Sequence, residues 1–188
     1  MIDEQTPLEE LAAIVSEALE KAGITATLSG GAAVSIYSDN RYESEDLDFV
    51  TAARVDELRG VLEPLGFVHT GRPRLSVFTH PRTKWYLEFP PAPLSFGGTY
   101  TDPSNCARIN TRFGSLRVIT PTHSVMDRLI AAAAWNEPQS LEQALLVTEH
   151  CAETIDWKAL DEWVVSEGIQ GSKEIVQYYE KLERKCPT

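Results

Sequence analysis

The chain has 188 residues, 43% hydrophobic and 24% charged, which is ordinary globular composition and enough for one large domain or two small ones. Its 28 acidic and 17 basic side chains leave a formal net charge of −11, which ranks nucleic acid below protein or small molecules as a partner, because each phosphate contact needs a Lys or Arg. No run approaches the roughly 18 apolar residues of a membrane span, the acidic start Met1-Ile-Asp-Glu-Gln has no apolar signal core, and the scattered Cys106, Cys151 and Cys186 spell neither a disulfide framework nor a zinc site, so a cytoplasmic protein with reduced thiols is expected.

Pro7 to Lys21 carries Leu8, Leu11, Ala12, Val15, Ala18 and Leu19 at helical spacing, with Gly23 suited to the stop. Ile24 to Leu28 is a β-prone run, Gly30 to Tyr37 a short apolar helix, and Asp39 to Glu45 a polar loop. Asp46 to Val50 reads as a strand and Val55 to Leu65 as a helix closed by Gly66. Phe67 to His69, Leu75 to Thr79 and Lys84 to Phe89 are further strands. The densest basic stretch is Arg72, Arg74, Arg82 and Lys84. Pro90 to Pro103 is rich in Pro, Gly and Thr and reads as a loop. Cys106 to Phe113 and Leu116 to Ile119 read as strands around a turn at Gly114-Ser115. At Thr120-Pro121 the character changes: a helix N-cap and a proline at the first helical position open a run that stays helical to Leu182, broken near Glu137-Pro138, Thr154-Ile155 and Gly168 to Gly171. The layout is an α+β region, residues 1–119, followed by a helical C-terminal region, residues 120–188.

The chemistry concentrates in Ser44-Glu-Asp-Leu-Asp-Phe-Val50. Strand side chains alternate faces, so Asp46 and Asp48 point the same way and repel. A divalent cation relieves that repulsion, and oxygen-only ligation favours Mg2+ or Mn2+ with phosphate oxygens completing the shell. Glu88, in Trp85-Tyr-Leu-Glu-Phe89, is the candidate third carboxylate, on the same face as Tyr86. Lys84 falls on that side too and is expected to offset negative charge. Gly30-Gly31 sits where a strand enters a helix, a place for phosphates against the first helical N–H groups, and Ser29 can add a hydroxyl.

This order resembles the nucleotidyltransferase superfamily related to DNA polymerase β: a glycine pair, a short helix, acid–apolar–acid on a strand, and an acid on a later strand, with Glu88 where Asp is commoner. The fit is similar to the small bacterial branch, which includes toxin–antitoxin-associated members and antibiotic nucleotidyltransferases. The stretch Thr120 to Ala132 looks like the first helix after the catalytic half in those proteins.

The resemblance implies a nucleotidyltransferase-like mixed sheet flanked by helices. It implies transfer of a nucleoside monophosphate from a nucleoside triphosphate such as ATP, with Asp46, Asp48 and Glu88 catalytic and metal-binding. Ser29, Gly30, Gly31, Arg41, Ser44 and Lys84 would serve the nucleotide. The expected acceptor is a hydroxyl of a protein or of a cationic small molecule such as an aminoglycoside. The alternative is an inactive antitoxin or regulatory binding protein on the same fold. His69, His80, His123 and His150 do not cluster at ligand spacing, and Trp85, Trp135, Trp157 and Trp163 read as packing residues.

Overall fold

A computed structural model of the chain describes residues 2–71, 76–135 and 137–185. Arg72, Arg74, Leu75 and Cys186, used in the sequence reading, lie outside the described residues. Packing divides the chain into two compact units, one of residues 1–33, 43–94 and 101–119 and one of residues 34–42, 95–100 and 120–188. The chain passes from the first to the second within the helix that follows Ser29.

In the first unit, α1 (Leu8–Lys21) buries Leu11, Val15 and Leu19 along one face. It stops where Gly23 takes φ +76° and donates its N–H to the Glu20 carbonyl. β1 (Ala26–Ser29) is buried along its whole length, as a central strand requires. It runs directly into α2 (Gly30–Tyr37). β2 (Asp46–Thr51) alternates, with Leu47, Phe49 and Thr51 buried and Asp46, Asp48 and Val50 half-buried. That pattern is the period-2 signal of its sequence made physical. α3 (Val55–Leu62) tightens into a 3-10 turn at Glu63–Leu65, around Pro64. β3 (Val68–His69), β4 (Val77–Thr79) and β5 (Tyr86–Glu88) follow.

Two further strands belong to the helical unit: β6 (Ser95–Phe96) and β7 (Thr99–Tyr100). β8 (Ala107–Thr111) and β9 (Gly114–Val118) complete the seven-stranded mixed sheet, ordered β3-β4-β5-β2-β1-β9-β8. β1 pairs antiparallel with β2 and parallel with β9, while β2 pairs parallel with β5. Leu28, Leu47, Phe78 and Leu87 are fully buried on the sheet, and Phe89 stacks on Phe49 at 6.0 Å and meets Phe78 edge-on at 5.6 Å.

Two expectations need correction. Pro90 to Pro103 is not wholly loop: Ser95 pairs with Tyr100 and Phe96 with Thr99 around Gly97-Gly98. Strands of two residues are too short to show a period, and the prolines flank them. The β8–β9 turn falls at Arg112-Phe113, because Thr111 pairs with Gly114. Gly114 is the first residue of β9, at φ +142°, where an added Cβ would come within 2.6 Å of Glu17 Cβ.

In the helical unit, α4 (Pro121–Ala134) packs on α5 (Gln139–Cys151), α6 (Trp157–Ser166) and α7 (Lys173–Lys185). Thr120 caps α4 as read from sequence, its Oγ1 accepting from the His123 N–H at 3.1 Å. Tyr178 is fully buried with its hydroxyl 2.6 Å from Thr148 Oγ1, and burial pushes its phenol up to about 12. The β6–β7 hairpin is held by the Trp163 indole N–H on the Phe96 carbonyl (3.1 Å) and by Glu167, which accepts from Gly98 N–H (2.8 Å) and the Thr99 hydroxyl (2.7 Å).

His123 stacks on Phe96 at 4.9 Å, and its Nδ1 is buried without a hydrogen-bond partner. Burial holds its pKa below the usual 6.5. A depressed folded pKa means the neutral ring's stabilisation is complete above pH 6.5 and is lost as pH falls from there through the folded value. Denaturant melts of the whole chain at stepped pH are expected to show this slope, and His123→Gln is expected to flatten it. An unchanged slope in the variant would refute the assignment.

Candidate functional site

All of the site's carboxylates lie in the sheet unit. Asp46 and Asp48 project from one face of β2, and the parallel register sets Asp46 beside Tyr86, Leu47 beside Leu87 and Asp48 beside Glu88. Leu47 and Leu87, fully buried on the other face, fix which way the acids point. Ligand oxygens of Asp46, Asp48 and Glu88 lie within 4.8 Å of one another, and all three side chains are half-buried. Glu88 holds its proton above the usual carboxylate range, first because burial penalises the charge and then because Asp46 repels it. The three carboxylates read from the sequence as one candidate cluster therefore meet in space.

Hydroxyls surround Asp46. Ser44, itself buried, donates to Asp46 Oδ1 at 3.0 Å, and the Tyr86 hydroxyl donates to Oδ2 at 3.4 Å. Burial, reinforced by Asp46 and Glu88, raises the Tyr86 phenol, so it stays a donor. The Trp85 indole N–H donates to the Ser44 carbonyl at 3.1 Å. A cavity of about 310 Å³ opens here, lined by Glu43, Ser44, Glu45, Lys84, Trp85 and Tyr86. Tyr86 was absent from the sequence-derived site. Its face was legible from alternation, but its place opposite Asp46 depends on a strand register that no local pattern reveals.

The remaining candidates divide. Gly30 opens α2 at φ +62°, and a Cβ there would stand 2.3 Å from Asp48 Oδ2, so glycine is what lets the helix start approach the acid. Gly31 follows in the first turn. Ser29 pairs with Asp48 in the ladder, and its hydroxyl donates to the Asp48 carbonyl at 3.4 Å. Lys84 lies just before β5, not in it; its ammonium pairs with Glu43 at 2.5 Å and sits 5.0 Å from the Trp85 ring. Arg41 belongs to the helical unit, 4.0 Å from Glu149.

The donor set suits a hard divalent cation: oxygen-only, clustered, and repelling when ionised. Zinc would favour His or Cys, and neither is in the cluster.

No protein-family model and no curated protein matches the chain by sequence. Solved structures do match. An antigenic nucleotidyltransferase-like protein from Paracoccidioides brasiliensis aligns with TM-score 0.60 at 16% identity, over 98% of this chain and 91% of that one. ANT(2'')-Ia in complex with adenylyl-2''-tobramycin aligns with TM-score 0.55 at 15% identity, over 85% and 97%. The lincosamide antibiotic adenylyltransferase LnuA, lincomycin-bound, aligns with TM-score 0.50 at 16% identity, over 74% and 97%. The chain has the nucleotidyltransferase fold. That agrees with the mixed sheet and helical C-terminal part expected from sequence. Among the described residues, no helix is long and apolar enough to cross a membrane.

Gly30→Ala tests the close approach. Its left-handed φ alone is expected to cost about 1–2 kcal/mol, and the methyl must also displace Asp48. Gly23→Ala, at φ +76° with nothing within 4 Å of the added methyl, is the control. Both are expected to melt earlier, Gly30→Ala by more because its methyl also meets Asp48. Equal losses in the two would dismiss the approach as incidental.

Proposed function

We propose that the chain is a magnesium-dependent nucleotidyltransferase that moves a nucleoside monophosphate from a nucleoside triphosphate to a hydroxyl of a small molecule or protein. The observation that carries this reading is the meeting of Asp46, Asp48 and Glu88 within 4.8 Å beside the Gly30 turn. The named neighbours support it: one is an adenylyltransferase by name, and another holds adenylyl-2''-tobramycin.

Asp46 and Asp48 would hold Mg2+ or Mn2+, with Glu88 in the same cluster. When bound, the cation supplies charge neutralisation and alignment of phosphate oxygens. The first N–H groups of α2, at Gly30 and Gly31, would bind phosphate, with Ser29 adjacent. In the transfer, the acceptor oxygen bonds to the α-phosphorus while the bond from that phosphorus to the bridging oxygen breaks. The bridging oxygen keeps the electron pair and leaves as pyrophosphate. The acceptor's proton passes to Glu88, the carboxylate on the neighbouring strand. A net charge of −11 favours a cationic acceptor over a polyanionic one.

A second reading, a non-catalytic binding protein such as an antitoxin or regulatory subunit, is favoured by one observation. Lys84 and Arg41, the side-chain cations expected to meet phosphate, are each paired with a glutamate, Glu43 and Glu149. Melts with ATP and Mg2+, each alone and together, separate the readings when combined with a pyrophosphate-release assay across hydroxyl-bearing acceptors. Enzyme activity predicts a shift that needs both ligands and pyrophosphate release that depends on the acceptor. Glu88→Gln is expected to slow release about 10²- to 10⁴-fold, and Asp46→Asn/Asp48→Asn to abolish the joint shift. Release persisting in the double variant would sink the enzyme reading; a joint shift without any release would support the binding protein.

A further inference from the structure

Asp46 and Asp48 are not held alike. Asp48 lies inside the ladder, flanked by Ser29 of β1 and Glu88 of β5. Asp46 is the first residue of β2, where backbone pairing with β1 has already ended: the β1–β2 register runs only from Ala26–Thr51 to Ser29–Asp48. A carboxylate at a strand end beside the charge of Glu88 would swing unless side chains held it.

They do. Ser44 Oγ donates to Oδ1 and the Tyr86 hydroxyl to Oδ2, so each oxygen has its own donor and the carboxylate plane is set. Ser44 is in turn placed by Trp85, whose indole N–H takes the Ser44 carbonyl in a buried hydrogen bond. Trp85 and Tyr86 are consecutive, so one short segment leading into β5 fixes both the loop before β2 and the acid that opens it. A carboxylate offers about four lone-pair sites; two hydroxyl donors leave the others free for a cation.

Resting on the metal-binding reading above, we propose that Ser44, Tyr86 and Trp85 are positioning residues that orient Asp46 for Mg2+. Ser44 thereby takes a different task from the nucleotide contact that its sequence position implied. Mg2+ demands near-ideal octahedral geometry, whereas Ca2+ accepts flexible shells, so a fixed Asp46 selects for Mg2+. The 3.0 Å contact from Ser44 is the stronger hold and the 3.4 Å contact from Tyr86 the weaker.

The test is calorimetric titration of the whole chain with Mg2+ and, separately, Ca2+, without nucleotide. Partners of this kind typically contribute 10- to 100-fold to metal affinity. Ser44→Ala is expected to weaken Mg2+ binding about tenfold, Tyr86→Phe by less, and the pair together by up to about 100-fold. Ca2+ binding should change little, so the Mg2+/Ca2+ ratio falls. Tyr86→Phe keeps the ring and guards against a folding artefact at buried Ser44, and melts without cation report folding directly. Unchanged Mg2+ affinity and unchanged ratio in a folded double variant would overturn this inference and leave the metal-binding reading standing. Absence of Mg2+ binding by the unaltered chain would overturn both.

Discussion

Like charges are crowded onto one face of β2 and β5, and the local structure is arranged to bear it. Two unit charges about 4 Å apart repel by about 1 kcal/mol in water and by about 4 kcal/mol at an effective dielectric of 20. Asp46, Asp48 and Glu88 fall within 4.8 Å of one another, and the strands cannot relieve this by rotating. A one-residue slip would turn Leu47, Phe49 and Leu87, each fully buried, toward solvent. The apolar face thus enforces the acidic one. What relief the protein supplies by itself is visible at the margins: hydroxyl donors on Asp46, and a Glu88 that keeps its proton more readily than an ordinary carboxylate.

Much of this was legible in the chain itself. Acid–apolar–acid at Asp46-Leu47-Asp48 states a common face without any knowledge of neighbours. Gly30-Gly31 after a β-prone run states a strand-to-helix turn, and α2 spans Gly30–Tyr37 as that reading required. Thr120-Pro121 states a helix start by cap chemistry alone. Each signal is local, carried by a period of two or by one capping group.

The features that escaped are those fixed at a distance. Ser95–Phe96 and Thr99–Tyr100 are too short for alternation to register; what marks them is a Gly97-Gly98 turn and bonds from Trp163 and Glu167, some seventy positions on. Lys84 looked like a neighbour of Glu88 by alternation, but the strand begins only at Tyr86, and the nearby Glu43 takes the ammonium. Arg41 looked close to the acids in sequence and is instead paired with Glu149 of α5. In each case a charged side chain chose the nearest opposite charge in space, and distance in sequence carries no information about that choice.

Glu88 shows how the same geometry bears on chemistry. Its backbone lies in register with Asp48, yet after burial, the larger cause, it is the charge of Asp46, two residues away along β2, that raises its proton affinity. An aspartate at this position would be one methylene shorter, less able to reach the diagonal neighbour. The longer side chain lets one residue stand beside one acid and interact with the other. A cation among the three carboxylates would offset that repulsion.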